Sequence, residues 1–166
     1  GQTASALQRL YEGGYISYPR TSCRHIREDM LERMPTLLSL LKDDPCFARY
    51  AEALEGRKLS IRTADDGKVT GHHAIIITES IPGKLPLDEQ NLYRMVAGRM
   101  LEAFSGDCTE EEADIRIEYG GSLFEAGYRR TVHAGWKSVH NRAGKEEDTV
   151  FPFWEQGEVL PVTDIS

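Results

Sequence analysis

The hydrophobic pattern changes character after Gly106, and that change limits the folds open to this chain. Up to Gly106 most apolar residues recur at helical spacing. From Ala113 to Tyr119 and from Leu123 to Val132 they alternate, with Gly120-Gly121 between the two runs. A period near 3.6 buries one stripe of a helix, whereas a period of two buries one face of a strand. A Gly-Gly pair between alternating runs is a hairpin turn. The expected class is therefore α+β: a helix-rich part over 1–106, then antiparallel strands over 107–166, with a boundary near 105–110.

Within the first part, Thr3 to Glu12 reads as a helix, with Thr3 as N-cap, a Leu7, Leu10, Tyr11 stripe, and Gly13-Gly14 as its stop. Tyr15 to Tyr18 alternates like a short strand, and Pro19 forces a turn. Ile26 to Met34 is a second helix, which Pro35 interrupts and Thr36 to Leu41 restarts. Phe47 to Glu55 is a third. Asp65-Asp66-Gly67 marks a turn, and His72 to Thr78 carries a β-branched Ile75-Ile76-Ile77 run. Residues 81–87 form a loop, and Asp88 caps the clearest helix, which runs to Phe104. In the second part, Asn141 to Asp148 reads as a charged loop and Val150 to Thr163 as β-like.

Composition narrows the function. The chain has 166 residues, is 40% hydrophobic and carries a net charge of −7, as suits a globular protein with a real core. No apolar run approaches the ~20 residues of a membrane helix. The N-terminus lacks both an initiator Met and a signal-peptide pattern, so an excised or processed chain is expected. Cys23, Cys46 and Cys108 form no Cys-x-x-Cys pair, and a reducing compartment is the simplest setting. Residues 1–75 hold 11 Lys/Arg against 10 Asp/Glu, but residues 76–166 hold 9 against 17. Any phosphate-binding surface should be local and lie in the first part.

Two constellations could carry chemistry. In Tyr18-Pro19-Arg20-Thr21-Ser22 a phenol leads into a proline-fixed turn with a guanidinium two positions on. A phenolate can attack phosphorus, and a neighbouring guanidinium both favours that anion and forks phosphate oxygens. Taken alone, a Tyr near an Arg is more often a packed ring beside a solvated cation. In Gly71-His72-His73-Ala74, neighbouring histidines on an extended segment face opposite ways, so they are not expected to share a metal. Either could hold a phosphate or move a proton. Cys23-x-His25 is too close-set for ordinary zinc spacing, and no Gly-x-Ser-x-Gly elbow accompanies Ser22. No metal site is expected in the chain.

Together these segments resemble type IA DNA topoisomerases of the topoisomerase III branch. Gly14-Tyr15-Ile16-Ser17-Tyr18-Pro19-Arg20-Thr21 is similar to that family's active-site tyrosine segment, and His72-His73-Ala74-Ile75-Ile76 to its second motif, about fifty residues on. The helix ending Leu10-Tyr11-Glu12, the run Cys23-Arg24-His25-Ile26, the helix Leu92 to Arg99 and Ala134-Gly135-Trp136-Lys137 match in the same order. The resemblance implies a winged-helix-like tyrosine domain over 1–106 and part of a β-rich gate domain over 107–166. It implies that Tyr18, Arg20 and His72 are catalytic, that Tyr18 forms a 5′-phosphotyrosine link, and that Thr21, Ser22 and His73 contact DNA. It further implies strand cleavage, passage and religation without ATP, single-stranded DNA as partner, a possible helicase partner, and a bacterial cytoplasmic, nucleoid-associated setting with no membrane. Magnesium would be held by an acidic cluster in a Toprim domain that this chain lacks, so the chain by itself is expected to be inactive. Ser22 stands where many relatives carry an acid, and Ile77 where they usually carry proline. The alternatives are a non-catalytic single-strand binding module and a protein-interaction scaffold.

Overall fold

The computed structural model describes residues 1–140 and 154–161. Four α-helices and one two-stranded antiparallel sheet give the expected α+β class. Helix α1 (Gln2–Glu12) has Gly1 as its N-cap rather than Thr3, which lies inside it. The chain then runs extended to a 3₁₀ stretch, Glu28–Arg33, that passes directly into α2 (Met34–Ser39). Pro35 therefore opens this helix instead of interrupting it. The first turn needs no proline N–H, and the ring's fixed φ is already helical. A further 3₁₀ turn leads to α3 (Ala48–Leu54). Helix α4 (Leu87–Phe104) is the longest. Asp88 makes no capping bond. Its carboxylate instead meets Arg9 of α1 at 3.1 Å, beside a 2.5 Å pair between Arg9 and the buried Glu89.

The core gathers one side of every helix. Leu10, Met34, Leu37, Leu41, Phe47, Ala97, Met100 and Leu101 are buried together with Ile16, Ile26, Ile76 and Ile77 from the extended segments. Burial pushes the Tyr93 phenol above its ordinary value, with Asp44 adding to the shift. Among the described residues no helix is long and apolar enough to cross a membrane.

Strands β1 (Thr109–Tyr119) and β2 (Ser122–His133) pair with Tyr119 opposite Ser122. Gly120 and Gly121 both take positive φ, 58° and 78°, as a two-residue hairpin turn demands. The ribbon is largely exposed on both faces. After it, the Trp136 N–H donates to Gly106 O at 2.9 Å, and the chain re-enters the helical body, where Val139 joins the core. Gly135 allows this return: its φ is 48°, and a Cβ there would lie 2.2 Å from the Asp107 carbonyl oxygen. The expected loop over 141–148 lies outside the described residues. Of the β-like run 150–163 only 154–161 is described, and it forms a turn with no strand.

Candidate nucleic-acid interface

The geometry around Tyr18 begins at a single bridge between chain segments far apart in sequence. Ile16 and Ile77 pair antiparallel and both are fully buried. On either side of them the Ser17 N–H donates to Ile76 O at 2.9 Å and the Thr78 N–H to Tyr15 O at 3.1 Å. The Ser17 hydroxyl closes the seam, accepting from the Ile76 N–H at 2.9 Å and donating to Ala74 O at 3.2 Å. The tyrosine segment is thus fastened along the histidine segment. The expected strand at Tyr15 to Tyr18 is reduced to this one bridge, since the next residue is Pro19 and no further partner strand lies there among the described residues.

The fastening brings Tyr18 onto His72. Their ring centroids are 4.2 Å apart with planes tilted by 38°, and the rings of Tyr11 from α1 and Tyr18 meet edge-on at 5.4 Å. Tyr18 is half-buried, and its hydroxyl makes no hydrogen bond to another described residue. Its ring is held between aromatic neighbours while its hydroxyl is left without a protein partner among the described residues.

His72 also lines an open groove of about 470 Å³ with Arg20, Thr21, Ser22, Arg24 and Lys68. Among the described residues no carboxylate side chain lines it. Arg20 and Arg24 are exposed and form no ion pair among the described residues. The walls are tied by short-range bonds. The Thr21 hydroxyl donates to His72 O at 2.9 Å and accepts from the Cys23 N–H at 3.0 Å. The Cys23 thiol bridges the carbonyls of His25 and Lys68, each at 3.4 Å. The Ala74 N–H donates to His25 O at 2.8 Å. Lys68 pairs with Asp65 at 2.9 Å, and this contact holds Asp65 below the ordinary carboxylate value.

Tyr18, Arg20, Thr21, Ser22 and His72 therefore converge. His73 does not. It borders a separate cavity of about 150 Å³ with Arg33, Met34 and Ile76, and its Nδ1 lies 2.7 Å from Ala74 O. Extended backbone turns successive side chains to opposite sides, which separates the two histidines. The sequence reading missed Tyr11, Ser17, Arg24 and Lys68. Only Arg24 had a local signal, since no acidic residue stands between Glu12 and Glu28. Among the described residues no group of three or more His, Cys, Asp or Glu side chains is placed to hold a metal ion.

The family model described as DNA topoisomerase matches residues 1–166. DNA topoisomerase 3 of Bacillus licheniformis is 32% identical over 174 aligned positions, covering 99% of this chain and 24% of that protein. DNA topoisomerase 3 of Bacillus subtilis is 30% identical, with the same coverage. DNA topoisomerase 1 of Methanocaldococcus jannaschii is 28% identical, covering 97% of this chain and 20% of that protein. The chain spans about a quarter of the length of these relatives. Because the match runs through both the tyrosine and the histidine segments and takes in the whole length, the chain belongs to the type IA DNA topoisomerases.

Proposed function

We propose that this chain carries the strand-cleaving tyrosine of a topoisomerase III-like enzyme acting on single-stranded DNA. Tyr18 Oη attacks a backbone phosphorus. The Oη–P bond forms, the P–O3′ bond breaks, the phenol gives up its proton, and the departing 3′ oxygen gains one. The product is a 5′-phosphotyrosine ester. Its energy is close to that of the bond it replaces, so the 3′ hydroxyl can reverse the step without ATP once a second strand has passed. Arg20 is assigned to the non-bridging oxygens, where a guanidinium fork meets the charge that builds in the transition state. His72, stacked against the attacking ring, is assigned to the same phosphate.

The observation that carries this reading is the half-buried Tyr18, stacked on His72 beside a groove of cations with no carboxylate in its wall. Magnesium, when bound, would neutralise phosphate charge. The described residues do not gather a seat for it, and we assign its ligands to the Toprim region of a longer parent and route no step through it. On this reading the chain alone neither relaxes supercoils nor cleaves efficiently. The winged-helix-like form of residues 1–106, the assignment of 107–166 to the gate, strand passage, a helicase partner and a nucleoid setting rest on the same kinship and are proposed with it.

The test is covalent trapping of 5′-labelled and 3′-labelled oligonucleotides by the parent protein. Wild type should retain the label of the strand whose 5′ phosphate is captured, and Tyr18→Phe should trap none while binding the oligonucleotide within about twofold of wild type. Equal trapping by both proteins would remove Tyr18 from the chemistry.

A further inference from the structure

We propose that Arg24 is a second phosphate seat, holding a backbone phosphate of the strand next to the one presented to Tyr18, with Lys68 as its weaker neighbour in the groove wall. This rests on the reading of the groove as a path for a nucleic-acid strand. The chain is acidic, and its arginines mostly find carboxylates: Arg9, Arg33, Arg62, Arg94, Arg99, Arg116, Arg129 and Arg130 are all ion-paired. Among the described residues Arg20, Arg24, Arg27, Arg49 and Arg57 show no carboxylate partner, and of these five Arg20 and Arg24 line the same groove. A single unpaired surface arginine is ordinary. Two beside a lysine, in a concave wall with no carboxylate, sum their fields over the same space and favour an anion there.

The wall is also built rather than loose. The Cys23 thiol, next to Arg24 in the chain, is tied to the backbone of His25 and Lys68, and Thr21 is tied to His72. The stretch that presents Arg24 is therefore held in place relative to Tyr18's partner. The two cations are not equal. Lys68 already shares its charge with Asp65, whereas the Arg24 guanidinium retains its donors for a ligand. A planar fork suits two oxygens of one phosphate. A polyanion with phosphates in series fits this arrangement better than one isolated anion, because Arg20 and Arg24 are separate seats along one groove.

The experiment is fluorescence anisotropy of a short labelled single-stranded DNA oligonucleotide with the 166-residue chain, titrated over a series of NaCl concentrations. Arg24→Gln should weaken binding about fivefold to tenfold at low salt and make log K against log salt shallower by about 0.7, the amount per phosphate contact on a single strand. Lys68→Gln should weaken it about twofold to threefold, and Arg57→Gln, an exposed arginine outside the groove wall, should change nothing. Arg24→Lys should keep the wild-type salt slope, which separates lost charge from a lost fold. If Arg24→Gln binds like wild type while Arg20→Gln weakens, the second seat is refuted and the strand path stands. If wild type shows no salt-dependent binding, both fall. Inorganic phosphate at matched ionic strength should displace the oligonucleotide no better than chloride. Strong displacement by it would mark a free-phosphate site and overturn the proposal.

Discussion

Thr21 was expected to contact DNA, and its hydroxyl is used within the protein, donating to His72 O and accepting from the Cys23 N–H. These two bonds tie the histidine segment to the chain just after Tyr18, while Thr21 also lines the groove. Thr21→Val should lower stability by about 0.5–1.5 kcal/mol, the usual net value of one such hydrogen bond. It should also shift the His72 ring signals in an NMR spectrum, and Thr21→Ser should restore both; unchanged His72 signals in the valine variant would deny that tie. Positions 22 and 77 also have local accounts. Ser22 puts a neutral hydroxyl rather than a carboxylate in the groove wall. The Ile77 N–H reaches the Met100 thioether at 3.1 Å, a weak acceptor, so loss of that donor should cost little.

At the scale of elements, α4 packs against α1, α3 and the 3₁₀ turn that follows the hairpin. Leu101 is fully buried, and Leu101→Ala should cost about 2–5 kcal/mol in denaturant unfolding, since the surrounding helices cannot close the gap. The return from the hairpin is fastened to the same helix. His140 pairs with the buried Glu102 at 2.7 Å, and a Cβ on Gly98 would strike the His140 ring at 2.4 Å. At the hairpin base Lys137 donates to Glu110 at 2.7 Å, which holds Glu110 below and Lys137 above their ordinary values. The sign follows from each shift. Glu110's contribution is complete above the ordinary glutamate pKa and is lost as pH falls through its lowered value. Lys137's contribution is complete below the ordinary lysine pKa and is lost as pH rises through its raised value. The protection factors of the Glu110 and Thr131 amides, corrected for the intrinsic pH dependence of exchange, should therefore fall selectively on acidification, more than those of the helical core. A uniform fall would show that the pair does not hold the base.

For the whole molecule, the division falls between a helical body with one core and a ribbon that extends from it. Register places Ala113, Ile115, Ile117 and Tyr119 on the same side as Phe124, Ala126 and Tyr128, while the other side carries the Arg116–Glu125 and Arg129–Glu112 pairs. A two-stranded ribbon is marginal by itself. The Gly106–Trp136 hydrogen bond brings its two ends together. Replacing 109–133 by a short Gly-Ser linker should therefore leave the body folded, with a midpoint within a few degrees of the parent's, and collapse of the body would refute its independence. Sequence alone determined what depends on neighbours along the chain: the helical stripes, the Gly120-Gly121 turn between alternating runs, and the family kinship carried by residues 14–21 and 72–76. Local signals misled where the backbone had another way to be satisfied, as at Thr3, Pro35 and Asp88. Only the tertiary structure decided that Ile16 pairs with Ile77, that Tyr18 therefore lies on His72 while His73 faces away, and that Arg24 and Lys68 share a groove with Arg20. Such pairings cost chain entropy over long loops and are repaid by burial of side chains from distant segments, a balance that no single stretch of sequence contains.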